Sequence, residues 1–202
     1  MALNKKTLNA QFREAFTLIE LLVVIAIIAI LLGLIFSVGP GVLDRARKVQ
    51  AKNDLTQIVT AVNAFYTEYG RYPLDSTITT DAAATFGGTG STGKPVLDEL
   101  RAKSTTLNTR QIVFISPPED SAQASPKGKV GSDGQFHDPW GTAYAFELDA
   151  NYDNQVTNPY GSSGGAGADP IRQGVIGWSY GKDKTLGKGG SYTNSDDVIS
   201  WQ

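Results

Sequence analysis

Residues 14–34 read EAFTLIELLVVIAIIAILLGL, and this stretch decides the fold. From Phe16 to Val38 the only charged side chain is Glu20. As a helix rising about 1.5 Å per residue, the run reaches roughly 35 Å, enough for a hydrocarbon core of about 30 Å. A carboxylate at a bilayer centre costs about 2.5–3.5 kcal/mol, so an acid in such a run is read as functional. A cleavable secretory signal does not fit, because its apolar region has about 7–15 residues. No clear small-x-small site follows Val38 either, Gly39-Pro40-Gly41 having proline at its centre. Flanking charges do not orient a plain anchor: Lys5, Lys6 and Arg13 on one side face Arg45, Arg47, Lys48 and Lys52 on the other.

Beyond the run the helix pattern continues. Leu55, Ile58, Val59, Val62, Phe65, Tyr66 and Tyr69 recur at helical spacing and predict one apolar stripe, with Lys52, Asn53, Thr56, Gln57 and Asn63 on the opposite side. Gly70 and Pro73 supply a stop. Gly39-Pro40-Gly41 predicts a kink between the two halves, because proline removes a backbone hydrogen bond and clashes with the preceding turn. Residues 71–93 read as loop. Lys94–Lys103 reads as a short helix with Pro95 in its first turn and Val96, Leu97 and Leu100 facing inward. Strands are expected at Gln111–Ile115, at Thr142–Asp149 with Tyr144, Phe146 and Leu148 on one face, and at Gly174–Tyr180. The expected fold class is therefore α+β: a long N-terminal helix, half transmembrane and half amphipathic, packed on a small antiparallel sheet.

Composition narrows the function. The 202 residues allow one modest domain beyond the apolar segment. A net charge of −2 carries no basic surplus for nucleic acid. The absence of cysteine excludes disulfides, thiolate metal sites, a cysteine nucleophile and a lipoprotein anchor. Enzyme chemistry finds no constellation: His137 is the single histidine, and neither a G-x-S-x-G elbow nor a phosphate loop is present.

Ala15-Phe16-Thr17-Leu18-Ile19-Glu20, followed by Leu21-Leu22-Val23-Val24-Ile25, resembles the N-terminus of type IV pilins and type II secretion pseudopilins. The resemblance implies a pilin-like fold and a basic leader, 1–15, cut between Ala15 and Phe16 by a prepilin peptidase that also methylates the Phe16 amine. Ala15 departs from the family's usual glycine. Glu20 would attract the N-terminal amine of a neighbouring subunit during assembly. Two charges costly in lipid are cheaper as a pair, and the pairing sets register. The implied organisation is the leader, a transmembrane and assembly helix at 16–41, and a head at 42–202. Within the head the amphipathic helix reaches about 69, a variable loop region spans 70–110, and the sheet and C-terminal loop span 111–202.

Asp138-Pro139-Trp140-Gly141-Thr142-Ala143-Tyr144 is similar to the D-P-W-G-x-x-Y turn of major pseudopilins. Ser179-Tyr180-Gly181-Lys182-Asp183 and Ser195-Asp196-Asp197-Val198-Ile199-Ser200-Trp201 resemble their closing pattern. In that family the end loop binds calcium, which implies Asp183, Asp196 and Asp197 as ligands here. The chemistry agrees, since calcium takes six to eight oxygens from flexible acidic loops. A rival calcium site is Asp149-x-Asn151-x-Asp153, though Asn154 stands where an EF-hand loop has glycine and Tyr160 where it has glutamate. Segment 74–137 resembles nothing, and both it and the insertion at 150–173 are longer than the resemblance to a minimal major pseudopilin implies. The implied function is a type II secretion pseudopilus subunit, partnered by copies of itself, other pseudopilins, the prepilin peptidase and the inner-membrane secretion platform. The implied location is the bacterial inner membrane, single-pass, with the head in the periplasm. The alternatives are a type IV pilus subunit and a membrane-anchored binding domain.

Overall fold

A computed structural model describes residues 16–88 and 90–202, with the side chains of 34–40 outside the described set. The expected leader, and with it Ala15, lies outside the described residues. Contacts divide the chain into two compact units, the second being Asp44–Gln202.

Helix α1 spans Leu18–Tyr69, 52 residues, and is helical through Gly39-Pro40-Gly41. It ends where Gly70 takes a left-handed φ of +67° and its N–H bonds the Tyr66 carbonyl, a conformation favoured in glycine. In the second unit α1 buries Leu55, Ile58, Val62 and Phe65 completely, with Val59 and Tyr69 partly covered. Tyr66 departs from the expected stripe. It is half exposed and packs against Tyr72 and Tyr152, with ring centroids 4.7 and 6.4 Å away.

The sheet has four antiparallel strands in order β1-β2-β3-β4: Thr85–Phe86, Ala145–Leu148, Val175–Ser179 and Val198–Ile199. The strands expected at Thr142–Asp149 and Gly174–Tyr180 are β2 and β3. The one expected at Gln111–Ile115 is not a strand. Phe114 and Ile115 N–H both bond the Leu100 carbonyl, so the segment closes on the end of helix α2, Lys94–Leu100. Buried Asn108 anchors it there, accepting from Tyr69 Oη (2.7 Å) and Ile112 N (3.0 Å) and donating to the carbonyls of Glu99 (2.7 Å) and Ile112 (2.8 Å). Conversely, the expected loop 71–93 contains a 3-10 turn, Asp81–Ala84, and β1. Strand β4 had no signal beyond the paired Val198 and Ile199.

The sheet buries both faces. On one, Tyr144, Phe146 and Leu148 join the α1 stripe in the main core. On the other, Ala145, Ile176, Trp178 and Ile199 meet Val156, Tyr160 and Ile171. Segment 150–173 is thus the cover of the second face.

Candidate functional site

At the start of α1, Thr17 is the N-cap and Glu20 the third helical residue. Glu20 Oε2 accepts from Thr17 N (2.8 Å) and Oγ1 (2.7 Å), while Glu20 N–H donates to Thr17 Oγ1 (3.3 Å). This is a capping box, two orphan donors satisfied reciprocally. Sequence reading missed this role, although Thr17-x-x-Glu20 before an apolar run is its signature. Both Thr17 bonds fall on one carboxylate oxygen; among the described residues Oε1 accepts none. Phe16 precedes the helix and is 76% exposed.

The Asp138 turn ties the segment before β2 to the end of β3. Asp138 is fully buried. Its Oδ1 accepts from Trp140 N and Thr142 N, each at 2.9 Å, and its Oδ2 from Ser179 Oγ at 2.6 Å. Burial pushes the Asp138 carboxyl above its ordinary range. Ser179 ends β3, and its Oγ in turn accepts from Gly181 N (3.1 Å), fixing the entry to the acidic loop. Two residues past the turn, Tyr144 Oη donates to Asp54 Oδ2 of α1 at 2.8 Å.

Asp183, Asp196 and Asp197 come together, with one carboxylate oxygen of each within 4.8 Å of the others. The loop needs glycine at its root: at Gly181, φ +64°, a Cβ would lie 2.6 Å from the Asp196 carbonyl oxygen. Asp183 is exposed and its Oδ1 accepts from Thr185 N and Oγ1, each at 2.9 Å. Asp196 Oδ2 accepts from the backbone N–H groups of Lys182 and Asp183. Asp197 is buried beside β4; its Oδ2 accepts from Tyr160 Oη and Gly187 N, each at 2.7 Å. Its Oδ1 is buried with no hydrogen-bond partner among the described residues. Burial first, then the Asp196 and Asp183 charges, push the Asp197 carboxyl up, opposed by the Tyr160 and Gly187 bonds. A buried carboxylate oxygen without a donor, on an acid grouped with two more carboxylates, is the electrostatics a hard cation reverses.

The rival loop is built differently. Asp81 joins Asp149 and Asp153, again within 4.8 Å. Here buried Asp149 already has both oxygens filled, by Asp153 N (3.1 Å) and Asn154 N (2.7 Å). Asp81 Oδ1 accepts from Ala150 N at 2.8 Å. These acids shape a turn. His137 belongs to neither group; its Nε2 lies 3.1 Å from Asp133 Oδ2.

A long N-terminal helix carrying a small antiparallel sheet is a pilin-like architecture. Residues 12–36 match the prokaryotic N-terminal methylation motif. That motif marks precursors of type IV pilins and pseudopilins, structural subunits that are exported, processed by prepilin peptidase and polymerised into pilus-type filaments. No curated protein and no solved structure matches the chain. Among the described residues no helix is long and apolar enough to cross a membrane; the expected span, 16–41, includes the 34–40 side chains outside that set.

Proposed function

We propose that the chain is a structural subunit of a type II secretion pseudopilus, cut between Ala15 and Phe16, methylated on the Phe16 amine and polymerised to drive protein export. It enters the bacterial inner membrane through 16–41 with the head in the periplasm, where it meets other pseudopilins and the secretion platform. During assembly Glu20 Oε1 takes the amine of a neighbouring subunit while Oε2 keeps the cap. Pairing offsets the cost of each charge in lipid and sets axial register. Asp183, Asp196 and Asp197 hold calcium, which supplies the missing partner for Asp197 Oδ1.

The observation that carries the secretion reading is that buried, donor-free oxygen, in an acidic loop whose root is fixed by the Asp138 turn. A ligand bound only by the native state stabilises by about 2.7 kcal/mol at a hundredfold excess over Kd. Calcium added to the full chain in detergent therefore raises the melting temperature of the head by several degrees. Asp183→Ala erases the rise and Asp153→Ala keeps it. Identical melting in calcium and in chelator contradicts the ion site; loss of the response in Asp153→Ala alone moves it to the 149–154 loop.

A further inference from the structure

The acids of the C-terminal loop are held by a strand that is weak on its own. β4 has two residues and, among the described residues, pairs only with β3, Ile199 opposite Trp178 and Val198 opposite Ser179. Ser200 N–H adds one bond to the Gly177 carbonyl at 2.9 Å. So short an edge strand is marginal without another tether. The tether comes from α1. Lys52 Nζ donates to the backbone oxygens of Ile199 (2.7 Å), Ser200 (3.2 Å) and Gln202. An ammonium has three donors, and all three meet the backbone edge just past Asp196 and Asp197. Such charge-assisted bonds are stronger than neutral ones. Lys52, Ser195 and Asp197 also line one groove, so the clamp and the buried acid share a surface. Across the loop, Lys182 donates its N–H to Asp196 and pairs its Nζ with Asp44 of α1 at 3.2 Å, an exposed contact worth little alone.

We propose that Lys52 is a positioning residue for the ion: by clamping the end of β4 to α1 it holds Asp196 and Asp197 in place, and so couples calcium to the helix that carries the assembly segment. This rests on the calcium reading above. Linkage makes the coupling reciprocal, so an ion that fixes Asp197 also fixes β4 against Lys52. The sign of the effect is diagnostic. By charge alone, removing a cation beside a cation site strengthens calcium binding. By positioning, it weakens it.

The test is calcium titration by calorimetry on the full chain in detergent, with hydrogen exchange at Val198–Ser200. Lys52→Met weakens calcium binding by about 10–100-fold, the range for lost outer-shell partners, and Lys52→Arg restores most of it. In the wild type, calcium slows exchange at Val198–Ser200, a readout that stands even where Lys52→Met does not fold. Calcium binding by Lys52→Met at or above wild-type affinity overturns the inference and leaves the ion site standing, as does wild-type exchange at Val198–Ser200 that ignores calcium. A wild type that binds no calcium overturns the ion reading and this inference with it.

Discussion

The apolar side chains in the two halves of α1 are of the same kinds and end in opposite circumstances. In the first, Ile19 is 70% exposed and Ile30 65%; in the second, Leu55 and Val62 are wholly buried. Fully burying one such side chain is worth about 1.5–3 kcal/mol. The head half has claimed that free energy within the chain, against β2 and α2. The described side chains of the first half leave it unclaimed, an exposed apolar surface of the kind that marks an interaction site. The difference teaches where information about each half must be sought: in the fold for one, in the assembly for the other.

Glu20 gives the largest way to break the contrast. Glu20→Ala removes both the cap and the proposed acceptor for the neighbour's amine, and filament incorporation is lost. Glu20→Gln separates the two roles, since glutamine serves a capping box but carries no charge. It is expected to keep wild-type helicity by circular dichroism and still fail to form cross-linked multimers. Wild-type multimers from Glu20→Gln would reduce Glu20 to a cap.

Next come the apolar side chains themselves. Phe65→Ala leaves a cavity in the head core and costs about 3–5 kcal/mol. Ile28→Ala leaves head stability unchanged. All three tryptophans, Trp140, Trp178 and Trp201, lie in the head, so denaturation followed by their fluorescence reports it directly. Equal destabilisation by the two substitutions would contradict the division.

A smaller effect lies in the protons of the head. Burial raises the Asp54 carboxyl above its ordinary range, against the hydrogen bond from Tyr144. A raised folded value means the native state holds its proton longer than the unfolded one. That contribution is full at low pH and declines as pH climbs from the ordinary carboxylate range through the folded value. Asp54→Asn has no such decline, so denaturation at successive pH values should show the variant gaining on the wild type as pH rises. A gap between them that is constant with pH would contradict the raised Asp54 carboxyl.

Much of this was legible in the residues. The long helix, its stop at Gly70, α2, β2 and β3 follow from periodicity and from proline and glycine placement. Two-residue strands such as β1 and β4 are not legible, because partners distant in sequence and not local propensity make them strands. Gln111–Ile115 has strand composition, yet Asn108 and the Leu100 carbonyl claim its backbone first. Segment 150–173 was opaque because the second face of the sheet shows only once the strands are paired. At the site, the Asp183, Asp196 and Asp197 grouping was readable from motif resemblance. The capping box was readable and missed. The role of Lys52 was missed: three residues before Leu55 it sits at the edge of the stripe and not opposite it, and only the return of β4 supplies its partners.

The central claim is that the chain is a prepilin-type precursor, and intact-mass spectrometry after co-expression with a prepilin peptidase tests it most directly. The account predicts a mature chain that begins at Phe16 and carries one added methyl group on its amine. An uncut chain, or one cut after Val38 like a secretory protein, would contradict it.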